Sequence, residues 1–394
     1  MKCVKVHEVP AAVVEAVVAV TDRFLFLAGL MSASFTLLAA VLPEDRADVM
    51  FHRYDGGGVT VDGPSILVRK SIGQSVSVNA NYYVDSISCA SVDVISSASP
   101  YTEERTETSL SVDYLHNKTL MGLAYTKSDE SDYLAETSSF SISHDMFGDL
   151  TTVSLGYSVG NDDIGNNTDE TFDESAKRQN FRLGLNQILT KNSLLGVNLE
   201  TITDEGFLRS PYRSFRYFDG TTSGSAPEKY PSTRTSNALT LRLKYFLPYR
   251  AALSGEYRYY HDTWGVSASN VEIGYTHPLE ADWIFDVHYR YYTQKAADFY
   301  SDLFSRVDEQ NFMARDKELS TFQDHTIGLG VSYEFKPSKW QFVDHGSLNF
   351  SLDFIRFSYD DFRDITVGGA VTPGEEPLYS FNANVIKAYL SIWY

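Results

Sequence analysis

Apolar side chains recur at every second position along most of this 394-residue chain, and only one segment is apolar without interruption for the length of a membrane-spanning helix. Val153, Leu155, Tyr157 and Val159 alternate with Thr152, Ser154, Gly156 and Ser158. Trp283, Phe285, Val287, Tyr289 and Tyr291 alternate with Asp286, His288 and Arg290, and Ile327, Leu329, Val331, Tyr333 and Phe335 with Thr326, Gly328, Gly330, Ser332 and Glu334. The same period governs Phe181/Leu183/Leu185, Leu195/Val197/Leu199, Leu239/Leu241/Leu243/Tyr245 and Leu253/Tyr257/Tyr259. A period of two sorts side chains onto the two faces of a strand, so each segment has one greasy and one polar face. Soluble sandwiches share that pattern; what separates them from lipid-facing walls is the residue that ends the apolar face. Here Tyr82, Tyr114, Tyr125, Tyr157, Tyr245, Tyr259, Tyr275, Tyr291 and Phe335 end it, as an interfacial aromatic girdle requires.

The connections alternate in length. Short turns fall near Ile72-Gly73, His116 to Lys118, Phe147 to Asp149, Leu189 to Ser193, Leu247 to Arg250, Pro278 to Asp282 and Lys336 to Lys339. Between them lie polar loops around 86–106, 127–132, 160–177, 203–234, 261–266, 294–322 and 359–379. Short turns on one side and long loops on the other predict an all-β, transmembrane, antiparallel up-and-down β-barrel. Fifteen strands follow residue 59; a short first strand near Val49–Tyr54, turning at Asp55 to Gly58, makes sixteen. Fourteen is the alternative, if the first pair belongs to a plug rather than to the wall.

The uninterrupted apolar segment, Phe24 to Leu42, follows Arg23 and precedes the charged run Pro43 to Asp48. It reads as a signal-peptide core with cleavage between Ala39 and Ala47, which divides the chain into a leader, 1–44, and a barrel, 45–394. A single anchoring helix is the rival reading. The formal charge of −19 and the lack of a basic stripe exclude a nucleic-acid partner. Two cysteines far apart, Cys3 and Cys89, make neither a CxxC redox motif nor a cysteine zinc cage.

The last strand places Ile386, Ala388, Leu390, Ile392 and Tyr394 on one face and ends on Trp393-Tyr394. Leu390, Ile392, Trp393 and Tyr394 together resemble the terminal signal read by the outer-membrane assembly machinery. With Asp48–Lys70 (DVMFHRYDGGGVTVDGPSILVRK), Val76–Val84 (VSVNANYYV) and Phe304–Phe322 (FSRVDEQNFMARDKELSTF), the chain resembles a family of Gram-negative proteins known as domain of unknown function 3570. The resemblance runs from about residue 45 to the C-terminus. It implies an outer-membrane barrel and carries no catalytic or binding residues with it.

The inward positions of the central strands carry both signs: Arg182, Glu200, Arg242, Lys244, Glu256, Arg258, Glu272, Asp286, His288 and Arg290. One reading is a charged constriction that selects solutes. The other is a ladder of opposite charges that fills and stabilises the wall. The acidic loop with Asp162, Asp163, Asp169, Glu170, Asp173 and Glu174 lacks the spacing of an EF-hand and reads as a solvated loop, without a metal site or cofactor. His144, His261, His288 and His325 are scattered singly, and no HExxH motif is present. Three functions follow in order: a pore or transport barrel for small polar or ionic solutes, cations somewhat favoured; a non-conducting barrel that binds at the surface or serves an envelope complex; and an outer-membrane hydrolase. The expected partners are outer-membrane lipid and lipopolysaccharide, the barrel assembly machinery, and small solutes or divalent cations.

Overall fold

The computed structural model describes residues 41–89, 91, 101–337, 340, 342–367 and 371–394. Most of the expected leader lies outside them. The described residues form eighteen strands: β1 (Arg46–Gly56), β2 (Val59–Ile72), β3 (Val76–Cys89), β4 (Tyr101–His116), β5 (Thr119–Asp129), β6 (Tyr133–Met146), β7 (Thr151–Ile164), β8 (Glu174–Thr190), β9 (Ser193–Gly206), β10 (Ser214–Phe218), β11 (Ser223–Pro227), β12 (Thr233–Phe246), β13 (Ala252–Asp262), β14 (Ser267–Leu279), β15 (Trp283–Lys295), β16 (Phe322–Phe335), β17 (His345–Arg363) and β18 (Leu378–Trp393). Sixteen of them close into one barrel in chain order, with β9 passing directly to β12. β10 and β11 pair only with each other, in a hairpin inside the loop between those two.

Closure rests on the pairing of β1 with β18, antiparallel from Arg46↔Trp393 to Gly56↔Ala383. No wall strand is left with an open edge, which is the condition for a sheet to sit in hydrocarbon. The even strand number sets both strand ends, Arg46 and Trp393, on the short-turn side. The alternative of fourteen strands is therefore excluded, and β1 is eleven residues long rather than a short addition. Two turn estimates move as well: the link from β16 to β17 runs to Asp344, and β5 and β6 extend until only residues 130–132 join them.

The outward face follows the alternation. Leu110, Val112, Leu123, Phe140, Leu155, Leu183, Leu199, Leu243, Ile273, Val287, Ile327, Leu329, Leu348 and Phe350 are exposed on it. Aromatic side chains bound this band: Trp283 packs on Tyr333 at 4.8 Å near the turn side, and Tyr291 on His325 at 5.0 Å toward the loop side. Among the described residues no helix is long and apolar enough to cross a membrane. A closed barrel with a lipid-type exterior needs none.

The lumen is filled unevenly. From β14 through β18 and on to β3, inward side chains form an aromatic and aliphatic core near the loop side, including Tyr54, Tyr292, Phe322, Ile355, Phe357, Tyr359 and Val385. Phe357 and Ile355 are fully buried. In mid-strand, from β5 through β7, the inward positions hold Gly122, Ala124, Thr126, Thr137, Ser139, Ser141, Ser154, Gly156 and Ser158. Small residues there cannot reach the opposite wall.

Candidate functional site in the lumen

Because Leu183, Leu199, Leu241, Leu243, Tyr257, Tyr259, Val271, Ile273, Val287 and Tyr289 face lipid, their neighbours face inward. All ten charged candidates therefore line the lumen, on β8, β9 and β12 to β15. They form a cross-strand ladder over one sector rather than a ring. Arg182 donates to Glu200 at 2.9 Å, Arg258 reaches the other oxygen of Glu200 at 3.4 Å, and Arg242 donates to Glu256 at 2.6 Å. Glu272 stands opposite Arg290, which donates to Asp324 at 3.1 Å, and Asp286 accepts from Thr276 at 2.5 Å, with Lys244 in electrostatic reach.

The two ends of this ladder differ. The Arg182 and Arg242 side chains are 67% and 56% exposed although they point inward, so a solvent-filled space stands before them. The Arg290–Asp324 pair is sealed, at 6% and 0%.

His288 reaches past a neighbouring strand. Its ring crosses Gly328 on β16 to meet Asp353 on β17 at 3.5 Å, and a Cβ on Gly328 would come within 1.9 Å of the ring. The arrangement recurs on the far side of the closure. His52 on β1 stands opposite Gly63 on β2 and meets Asp85 on β3 at 2.7 Å, while Asp85 also pairs with Arg105 on β4 at 3.0 Å. Tyr83 stacks on His52 at 4.7 Å. A Cβ at Gly63 would lie 1.8 Å from the Val84 carbonyl oxygen. Nothing in the sequence reading singled out His52, Asp85 or Arg105; their signal was a polar residue at an inward position of strands read mainly for their greasy face.

Above the ladder, three loops fold over the mouth. The β10–β11 hairpin packs Phe215 edge-on against Phe304 at 5.1 Å, and the backbones of Lys229 and Met313 exchange hydrogen bonds. Arg216 ties the hairpin to Asp302 and Glu376, and Arg315 pairs with Asp302 at 3.0 Å while donating to the Arg363 carbonyl. Burial alone would raise the Glu376 carboxyl, but the Arg216 guanidinium and the Gly374 N–H outweigh it and hold the group at about 2. The clasp joins loops 207–232, 296–321 and 364–377.

Loop 296–321 also dips into the barrel. Gln294, an inward residue of β15, donates to the carbonyls of Glu318 and Ser320 at 2.7 and 2.9 Å. The 3-10 turn Lys317–Leu319 thereby faces the open sector across a cavity of about 450 Å³, whose walls include Tyr133, Arg178, Asp204, Tyr260, Trp264 and Glu318. That volume is within the range of small-molecule sites.

Other expectations resolve differently. Asp162 points inward and accepts from Tyr133, whereas Asp169 bonds the Thr171 backbone N–H and hydroxyl of its own turn. Among the described residues no group of three or more His, Cys, Asp or Glu is placed to hold a metal. His144, His261 and His325 stand on the outer face among hydroxyls and rings, away from His288. Gly156-Tyr157-Ser158-Val159-Gly160 has the spacing of a hydrolase elbow, but it runs straight through the middle of β7, where the strand-to-helix turn that exposes such a serine is absent. At the C-terminus Leu390 and Ile392 face outward, while Trp393 turns inward to stack on His345 at 4.3 Å. Tyr394 donates to the Arg69 carbonyl at 3.1 Å.

A family described as "Protein of unknown function (DUF3570)" matches residues 91–347. The chain belongs to that family. The match is narrower than the resemblance that runs from about residue 45 to the C-terminus. A search of curated proteins finds no match. Among solved structures, the chain is similar to a bacterial polysaccharide outer membrane secretin (8% identity, 89% of this chain and 99% of that one, TM-score 0.49). It is also similar to the CymD monoaromatic hydrocarbon channel (9%, 90% and 89%, TM-score 0.42) and to OmpT, an outer membrane protein of Vibrio cholerae (11%, 90% and 100%, TM-score 0.42). Topology and exterior agree: this is a transmembrane β-barrel of the outer-membrane type.

Proposed function

We propose that this barrel passes small polar solutes across the outer membrane of a Gram-negative bacterium, along the open sector of its lumen, with the folded-in loops narrowing the outer entrance. The observation that carries this reading is the inward yet solvent-exposed position of Arg182 and Arg242, beside the glycine, serine and threonine that line mid-strand β5 to β7. Side chains in such a place act on whatever moves past them, because the low-dielectric wall focuses their field into the lumen. The test is planar-bilayer conductance of the refolded chain with Arg182→Glu and Arg242→Glu. Open steps whose ion preference moves toward cations in both variants support a pore.

A second reading rests on the clasp. Arg216, Arg315, Asp302 and Glu376 bind three loops together over the mouth, which suits a barrel that binds without conducting. Inserted protein that stays silent, and conducts only once Arg216→Ala loosens the clasp, favours that reading. Lipopolysaccharide, outer-membrane lipid and the assembly machinery are the partners such a barrel meets in either case.

A further inference from the structure

We infer that the cavity beneath the folded loops is a binding site for a neutral polyhydroxylated solute, a mono- or disaccharide; the inference rests on the reading that the lumen is a solute path. The cavity is walled by four basic residues, Arg178, Arg209, Arg234 and Arg258, and four acidic ones, Asp162, Asp204, Asp316 and Glu318. Most of these charges are already in ion pairs. Arg178 donates to Asp204 at 2.7 Å, Arg234 to Asp262 at 2.6 Å, Arg258 to Glu200 at 3.4 Å, and Arg213 binds both Asp316 and Glu318. Arg209 stacks on the Phe207 ring at 4.5 Å.

A wall with as many negative as positive side chains, most of them paired, offers no net charge to an ionic ligand, which would lose its hydration for little gain in counter-charge. It does present donors and acceptors side by side. The Arg178 side chain stays 48% exposed while bound to the mostly covered Asp204, so the guanidinium is presented with the edge of a carboxylate beside it. Adjacent sugar hydroxyls, each both donor and acceptor, match such a pair. Tyr133, Tyr260, Tyr292 and Trp264 supply rings for the apolar C–H faces of the same ligand.

The test is equilibrium binding to the detergent-purified full chain, read by calorimetry with glucose, maltose, glutamate, lysine and inorganic phosphate as probes. Saturable binding of a sugar, weakened at least tenfold by Arg178→Met, is expected. Leu208→Trp, which enlarges a loop side chain that lines the cavity and leaves the strand residues unchanged, should abolish it; heat-modifiable migration in SDS verifies that both variants fold. Tighter binding of any charged probe, or no saturable binding of either sugar, overturns the inference. Sugar binding by a barrel that does not conduct leaves this site standing and removes the channel reading; conduction without sugar binding does the reverse.

Discussion

The two halves of the barrel share one alternating pattern and one hydrogen-bond ladder, yet they treat the lumen in opposite ways. From β14 around to β3 the inward positions near the loop side carry Phe322, Ile355, Phe357 and Tyr359, which are buried against one another. In mid-strand, from β5 to β7, they carry glycine, alanine, serine and threonine, and beyond them Arg182 and Arg242 extend into water. The lesson is that a barrel's strand number fixes its width, while the size of its inward residues fixes how much of that width is free.

Truncation should separate the halves most sharply. Phe357→Ala, in the packed half, should cost about 3–5 kcal/mol, and Ser154→Ala, in the open half, less than about 0.5 kcal/mol. The temperature at which the SDS-resistant folded band disappears measures both; equal losses would break the comparison. Ion pairs should divide the same way. Arg290→Ala strands the fully buried Asp324 and should cost about 3–5 kcal/mol, whereas Arg182→Ala removes a pair whose arginine is largely solvated and should cost less than about 1 kcal/mol.

The mouth adds a pH dependence. The Glu376 carboxyl is depressed from 4.5 to about 2 in the folded clasp, so its contribution is fully present above the unfolded value and fades as pH falls through the folded one. Protease cutting of loop 296–321 should therefore rise as pH drops from about 4.5 to about 2, and Glu376→Gln should be cut readily throughout that window. The smallest effect concerns flow. Ser158→Phe, placed in the open half, should lower single-channel conductance without changing the temperature at which the folded band is lost, since its ring enters solvent rather than a packed wall.

Much of this was legible beforehand because lipid imposes a period of two on every wall strand. That period marked the apolar faces, fifteen of the sixteen wall strands, the girdle tyrosines and the inward set from Arg182 to Arg290, while the first strand follows from the need for an even number. It carries no information on how far an inward side chain reaches across the lumen, so the ladder's open end at Arg242 and its sealed end at Arg290 looked alike. The β10–β11 hairpin escaped because its strands are five residues each and sit in a loop read by composition. The clasp escaped because Arg216, Asp302 and Glu376 lie 86 and 160 residues apart and meet only when three loops fold together. The two His–Asp contacts that skip a strand were hidden for a related reason: Gly328 leaves room for the His288 ring and Gly63 for the close approach of the Val84 carbonyl, and only the register reveals either.

Single-channel current through the refolded barrel in a planar bilayer tests the central claim most directly. Stable open steps are predicted, with ion preference shifted toward cations by Arg182→Glu and Arg242→Glu. An electrically silent membrane holding demonstrably inserted protein, or steps indifferent to both substitutions, would contradict a solvent path along the open half.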